Sequence, residues 1–209
     1  AQGVEVSFRY PDGMADRVLA AFVINAAGVE ADRVARMLDP DSPYELDPVR
    51  GESYKFYSHR RPDLRVYGRN IYPTPEAVET PHGRHFTVGV HLTPTFEDLS
   101  LPSRLGSTIT VGPRLVPVPD RDAWNGAAVS AESMAERVGA YFPGLRTEDL
   151  IRHQAGLQAR LSKHPDFVLA RSPSAANVIH LLGIDSPGLT ACLALARRVA
   201  DSIPDGEAP

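Results

Sequence analysis

Three stretches of this chain combine residue types that can do chemistry. The first holds His91, in Phe86-Thr-Val-Gly-Val-His-Leu-Thr93. Period-two alternation puts Phe86, Val88, Val90 and Leu92 on one strand face, and His91 on the other with Thr87, Gly89 and Thr93. A neutral imidazole is the side chain best matched to removing a proton near neutral pH, so His91 is the candidate base. A histidine beside threonines suits a hydrogen bond across a sheet equally well. The second stretch, Ile151 to Leu161, alternates clearly. His153 falls on its apolar face and reads as a satisfied buried histidine. Gln158 and Arg160 share the polar face, because residues two apart on a strand point the same way. Arg160 either reaches a cavity there or is a plain surface arginine.

The third stretch runs from Val178 to Asp201. Val178 to Leu182 is an apolar run of strand type, broken by Gly183, Pro187 and Gly188. Leu189, Cys192, Leu193, Ala196, Val199, Ala200 and Ile203 then recur at helical spacing, so a helix begins near Gly188 and Cys192 reads as a small core residue. Asp185 and Ser186 suit capping, and glycine at 183 and 188 lets another molecule approach the backbone. Free N–H groups at a helix start attract an anion or an electron-rich ring. A tight strand-to-helix connection with nothing bound reads the same way. Metal and nucleophile chemistry find no support: His82 and His85 lie in a turn without cysteine or patterned carboxylates, and Ser186 lacks a nucleophile-elbow context. Trp124 reads as packing.

The elements that must position these residues are short and mixed. Val4, Val6 and Phe8 alternate, Pro11-Asp-Gly13 turns, and Val18 to Ile24 forms the second strand of a hairpin running into Asn25-Ala-Ala-Gly28. A short helix follows from Ala31 to Leu38, then a Pro/Asp linker from Pro40 to Pro48. Strands are predicted at Val66 to Tyr72, Phe86 to Thr93 and Phe167 to Ala170, and a helix over Ser130 to Phe142 with Met134 and Val138 inward. From Val116 to Gly126 the chain is irregular.

A chain of 209 residues with 43% hydrophobic and 23% charged content has the composition of an ordinary globular protein. Its net charge of −4 gives no general attraction to nucleic acid. One cysteine excludes an internal disulfide. No apolar run reaches membrane-spanning length and no signal peptide is visible, which gives a cytoplasmic location as the expectation and leaves membrane association open. The chain starts at Ala1 with no initiator Met, so its targeting is poorly constrained. A Gly-x-Gly-x-x-Gly dinucleotide turn is absent.

Gly183-Ile-Asp-Ser-Pro-Gly-Leu-Thr190, followed by an alanine-rich helix, closely resembles the C-terminal flavin-binding segment of FAD-dependent oxidoreductases of the D-amino acid oxidase/glycine oxidase family. The L-2-hydroxyglutarate dehydrogenase/oxidase branch looks nearest. Val23-Ile-Asn-Ala-Ala-Gly28 resembles the family's second FAD-contacting segment, and Pro48-Val-Arg-Gly-Glu52 its entry to the substrate domain. Ile71-Tyr-Pro73 and Gly89-Val-His-Leu-Thr93 resemble the hydroxyglutarate branch. The chain departs from the pattern in two places. Phe96 to Thr108 is longer than the family's turn, and Gln158-Ala-Arg160 stands where the family has Arg-Pro-Lys, whose arginine is implicated in holding the substrate carboxylate.

The resemblance implies an FAD cofactor contacted by Ala27, Gly28, Gly183, Asp185, Ser186, Gly188, Leu189 and Thr190. It also implies a substrate site with His91 as catalytic residue and Tyr72, Gln158 and Arg160 as binding residues. The expected fold is α+β: a mostly antiparallel substrate-domain sheet plus C-terminal strands and helices of an FAD-binding domain, whose N-terminal Rossmann part is missing. The expected divisions are 1–39 (FAD-binding part), 40–126 (substrate-binding), 127–150 (helix and connection) and 151–209 (substrate-domain strand and returning FAD segment). The implied activity is oxidation of a small 2-hydroxy acid, with the missing FAD-binding half as partner. Amino-acid oxidation and a noncatalytic binding module remain alternatives.

Overall fold

The computed structural model describes residues 3–80, 83–97, 104–122 and 129–204, which divide into two compact units. The fold is a mixed α+β arrangement of mostly antiparallel sheets with three α-helices among the described residues.

One unit combines Ala1–Pro48 with Gln158–Pro209. It opens with an antiparallel hairpin, β1 (Val4–Arg9) and β2 (Ala15–Ala20), in register from Val4 opposite Ala20 to Arg9 opposite Ala15. The expected single strand to Ile24 is in fact two. The chain breaks at Ala21 and Phe22, and β3 (Val23–Asn25) joins a different sheet, beside β10 (Val168–Arg171) and β11 (Val178–Leu182) in the order β10-β11-β3. β10 and β11 are antiparallel, whereas β11 and β3 run parallel. Helix α1 (Ala31–Leu38) buries Ala31 and Ala35 against Leu46, Ala159, Leu161 and Leu182. Asp32, fully buried, accepts the Leu46 N–H at 3.0 Å and ties the helix to the next strand.

Helix α3 (Gly188–Ala200) starts at Gly188 as expected but faces differently from expectation at several residues. Its inward stripe is Gly188, Ala191, Leu195 and Val199, while Leu189 is 90% and Leu193 83% exposed and Cys192 lies on the surface. Apolar residues lie on more than one face of this helix. Burial picks out the Gly188/Ala191/Leu195/Val199 face, a choice that helical spacing alone does not make.

The other unit is Val49–Leu157. Its sheet has the order β7 (Leu92–Phe96), β8 (Leu105–Pro117), β4 (Leu46–Tyr57) and β9 (Ile151–Leu161). The core holds Tyr54, Phe56, Leu92, Ile109 and Val111, covered by Met134 and Val138 of α2 (Ala131–Gly139). Ser130 caps α2 by accepting the Ser133 N–H at 3.2 Å. A buried ion pair, Arg50 Nη2 to Glu52 Oε1 at 2.8 Å, sits in this sheet, and Glu52 Oε2 accepts the Val129 N–H at 3.1 Å.

Several sequence expectations change in this unit. Val66 to Tyr72 is not a strand: Tyr67 and Gly68 take φ of 48° and 70°, which ends any extended run, and only Ile71 bridges, to Leu92. Phe86 to Thr93 is not continuous either. A hairpin of β5 (Glu76–Thr80) and β6 (Gly83–Thr87) ends before Gly89, whose φ of 66° breaks the alternation, and β7 begins at Leu92. Val88 is accordingly 57% exposed while Val90 and Leu92 are buried. His85 falls on β6 rather than in a turn. His153 is exposed near the open start of β9, where burial begins only at Ala159 and Leu161. Strand β8 carries order to Pro117, past the expected start of irregular chain. His82, Trp124 and residues 98–103 of the long loop lie outside the described residues. Among the described residues no helix is long and apolar enough to cross a membrane, and no cluster of three metal-ligating side chains occurs.

Candidate functional site

In the first unit, the β11/β3 pairing governs the site. Val178, Ile179 and His180 lie opposite Val23, Ile24 and Asn25 with the strands parallel. Both strands therefore end at one edge of the sheet, and the two segments that resemble flavin contacts, Ala27–Gly28 and Gly183–Thr190, leave from that edge. In open α/β sheets the carboxyl ends of parallel strands are where ligands bind.

The glycines at this edge do different work. Gly28 has φ of 59° and open space where a Cβ would stand. Gly183 has φ of 70°, and a Cβ there would meet Leu161 Cδ1 at 2.7 Å; at Gly188 it would meet Ile184 Cγ2 at 2.7 Å. Gly183 is thus crowded by its own chain at a positive φ and Gly188 by the Ile184 side chain, so of the three only Gly28 has open space around its backbone. The expected capping by Asp185 and Ser186 side chains is also absent. Pro187 occupies the N-cap of α3 without a side-chain bond, and the Asp185 carbonyl accepts the Gly188 N–H at 2.5 Å. Leu189 and Thr190 are exposed at the helix start.

Arg160 Nε donates to Asp185 Oδ2 at 3.3 Å, which joins a residue expected to bind substrate to one expected near the cofactor. Burial raises the Asp185 carboxyl above its ordinary value, with Arg160 pulling the other way. Two residues back on β9, Gln158 buries its Oε1 without a hydrogen-bond partner among the described residues.

A buried polar chain, invisible to sequence reading, lies behind Ala27. Asn25 Nδ2 donates to Ala31 O at 2.7 Å and lies 3.0 Å from His180 Nδ1, while Asn25 Oδ1 accepts the Ala27 N–H at 3.2 Å. His180 Nε2 stands 3.3 Å from Asp39 Oδ2, and Asp39 Oδ1 accepts from Ser172 Oγ at 2.9 Å. Burial of Asp39 works against its charge, but hydrogen bonds from Ser174, Ser172 and His180 outweigh it and hold the carboxyl below its ordinary value.

In the second unit, Tyr72 and His91 come together, with ring centroids 4.5 Å apart and planes 28° from parallel. The cause is local: Ile71 and Leu92 exchange both backbone bonds, at 3.0 and 2.9 Å, and set their neighbours side by side. His91 Nδ1 lies 3.2 Å from Gly89 O, and Asn70 Nδ2 donates to Tyr72 Oη at 3.2 Å. With Nδ1–H directed at that carbonyl, Nε2 is left as a bare acceptor. A hollow of about 760 Å³ beside Tyr72 is lined by Arg65, Arg69 and Asn70 among others. A larger one, about 870 Å³, runs along the β1/β2 hairpin and holds none of the candidate residues.

The FAD dependent oxidoreductase (DAO) family model matches residues 2–202, almost the whole chain. The chain belongs to that family. Glycerol 3-phosphate dehydrogenase of Caloramator mitchellensis is 27% identical over 180 residues, covering 86% of this chain and 33% of its own length. L-2-hydroxyglutarate dehydrogenase of Salmonella houtenae is 23% identical over 221 residues, covering 88% and 47%. The dithionite-reduced L-alpha-glycerophosphate oxidase of Mycoplasma pneumoniae with FAD bound shares the fold, with a TM-score of 0.60 at 22% identity over 94% of this chain and 48% of that one. The chain therefore spans about a third to a half of the length of these relatives.

The residues present fit part of an FAD. Open space at Gly28 and the first-turn N–H groups of Leu189 and Thr190, exposed residues where the partial positive charge of the 13-residue helix α3 is concentrated, suit an electron-rich ring. No residues for the pyrophosphate are recognisable in the sequence.

Proposed function

We propose that this oxidoreductase oxidises a small 2-hydroxy acid of the L-2-hydroxyglutarate type, and that these 209 residues supply its substrate-side strands and the returning part of its FAD-binding domain. One observation carries the reading: the parallel β11/β3 pair delivers Ala27–Gly28 and Gly183–Thr190 to the same sheet edge. Bound FAD supplies the acceptor for a hydride from the substrate carbon. The chain's own residues do the rest. His91, held by its Gly89 contact and the Tyr72 ring, takes the hydroxyl proton on Nε2. Gln158 and Arg160 are the proposed partners of the substrate carboxylate: Arg160 keeps guanidinium donors beyond the one spent on Asp185, and Gln158 lies two residues back on the same strand. The first-turn N–H groups of Leu189 and Thr190 would hold the electron-rich ring of the bound cofactor. The pyrophosphate falls to a glycine-rich segment outside these residues.

Glycerol 3-phosphate is the second reading, favoured by the 27% identical relative that carries that name. Turnover of L-2-hydroxyglutarate, glycerol 3-phosphate and a panel of amino acids with an artificial electron acceptor separates the readings. The proposal expects turnover of the hydroxy acid. Preference for glycerol 3-phosphate or an amino acid refutes the substrate assignment, and a flavin-loaded protein that turns over none of them refutes the activity.

A further inference from the structure

Asn25, His180 and Asp39 are 4%, 5% and 6% exposed and come from three distant parts of the chain. Proton accounting gives their contacts a direction. The Asn25 amide nitrogen carries two hydrogens, and both have acceptors: Ala31 O at 2.7 Å and His180 Nδ1 at 3.0 Å. Its oxygen accepts the Ala27 N–H at 3.2 Å. That arrangement requires a bare Nδ1 on His180, so the proton of the neutral ring sits on Nε2, facing Asp39 Oδ2 at 3.3 Å. Asp39 is itself fixed by Ser172 Oγ at 2.9 Å and the Ser174 N–H at 3.2 Å. A proton placed on Nδ1 would force the Asn25 amide over and release Ala31 O and Ala27 N–H together. Ala27 is the residue from which the Gly28–Glu30 turn starts, its carbonyl accepting the Glu30 N–H at 3.1 Å.

We propose that Asn25, His180 and Asp39 are positioning residues: a buried, one-directional hydrogen-bond chain that holds the Ala27–Gly28 main chain in the shape the cofactor meets. The proposal rests on the flavin reading of the β11/β3 edge. It assigns work to three side chains that touch neither substrate nor ring, and it makes the His180 tautomer part of the cofactor site.

The test uses the flavin-loaded protein and three variants. His180→Leu removes the acceptor for Asn25. His180→Gln keeps both an acceptor for Asn25 and a donor for Asp39. Flavin affinity and the flavin absorbance band are measured alongside the thermal midpoint. Both substitutions are expected to lower the midpoint, but only His180→Leu moves the band and weakens flavin binding, by about tenfold, while His180→Gln stays within about twofold. Gly28→Val separates the two levels of the argument, since an open backbone that meets the ring must respond to a new side chain. A silent Gly28→Val overturns the flavin reading of that edge and the positioning chain with it. A responsive Gly28→Val, together with Leu and Gln variants that behave alike, overturns the positioning chain alone. Should His180→Leu not fold, imidazole nitrogen shifts of the unmodified protein decide: a bare Nδ1 supports the proposal and a protonated Nδ1 in the neutral ring overturns it.

Discussion

The Tyr72 ring lies on the His91 imidazole at 4.5 Å between centroids, and the Ile71–Leu92 bridge beside them sets the two residues side by side. A proposed base is thus held on one side by an aromatic plate and at Nδ1 by the Gly89 carbonyl.

Tyr72→Ala removes the plate and Tyr72→Phe keeps it. Aromatic pairs contribute about 0.5–1.5 kcal/mol beyond their area, so the alanine variant should lose up to about tenfold in kcat/KM and the phenylalanine variant about twofold or less. Steady-state kinetics on both variants check this, and equal losses would show that the hydroxyl, not the ring, matters.

Gly183 and Gly28 should part company on substitution. Gly183→Ala drives a methyl into Leu161 at a positive φ and should cost about 2 kcal/mol or more in a urea titration, partly relieved by a smaller residue at Leu161. Gly28→Ala meets nothing and should cost only about 1 kcal/mol of backbone strain. Similar losses at the two sites would contradict the division of roles between them.

Those two glycines also mark how far the sequence carries. Strand β11, helix α3 and helix α1 are legible because β-branched runs, glycine breaks and helical spacing are local signals. The inward face of α3 is not, because Leu189/Leu193 and Ala191/Leu195 are both apolar stripes and only burial picks one out. Strand breaks at Gly89 and Tyr67 hide inside apolar runs, since backbone dihedrals override alternation there. The crowding of Gly183 by Leu161 and the Asn25–His180–Asp39 chain are tertiary facts, the latter linking residues 155 and 141 positions apart.

Asp39 gives a pH prediction. Its carboxyl is held below the ordinary value of 3.8, so its contribution to stability is present above that value and is lost as pH falls through the lower folded-state value. Asp39→Asn should be less stable than the parent at neutral pH, with the gap narrowing below about pH 4. Urea midpoints across that range measure it; a gap that widens in acid would reverse the sign and reject the assignment.

Tyr141 gives the opposite limb. Burial pushes its phenol up to about 12, and the hydroxyl donates to Val90 O, the carbonyl just before His91. A raised folded-state value means stability is intact below the unfolded value near 10 and is lost as pH rises toward 12. Tyr141→Phe should cost about 1 kcal/mol at neutral pH from the orphaned carbonyl, and its alkaline decline should be shallower than the parent's. Thermal midpoints between about pH 8 and pH 11 decide the matter.

Hydrogen exchange at the β11/β3 edge tests the central claim most directly. The account predicts that loading the protein with flavin slows exchange of the Gly28, Leu189 and Thr190 amides by about tenfold or more, with little change across the β1/β2 hairpin. Unchanged exchange at those three amides in a protein that demonstrably holds flavin would contradict it.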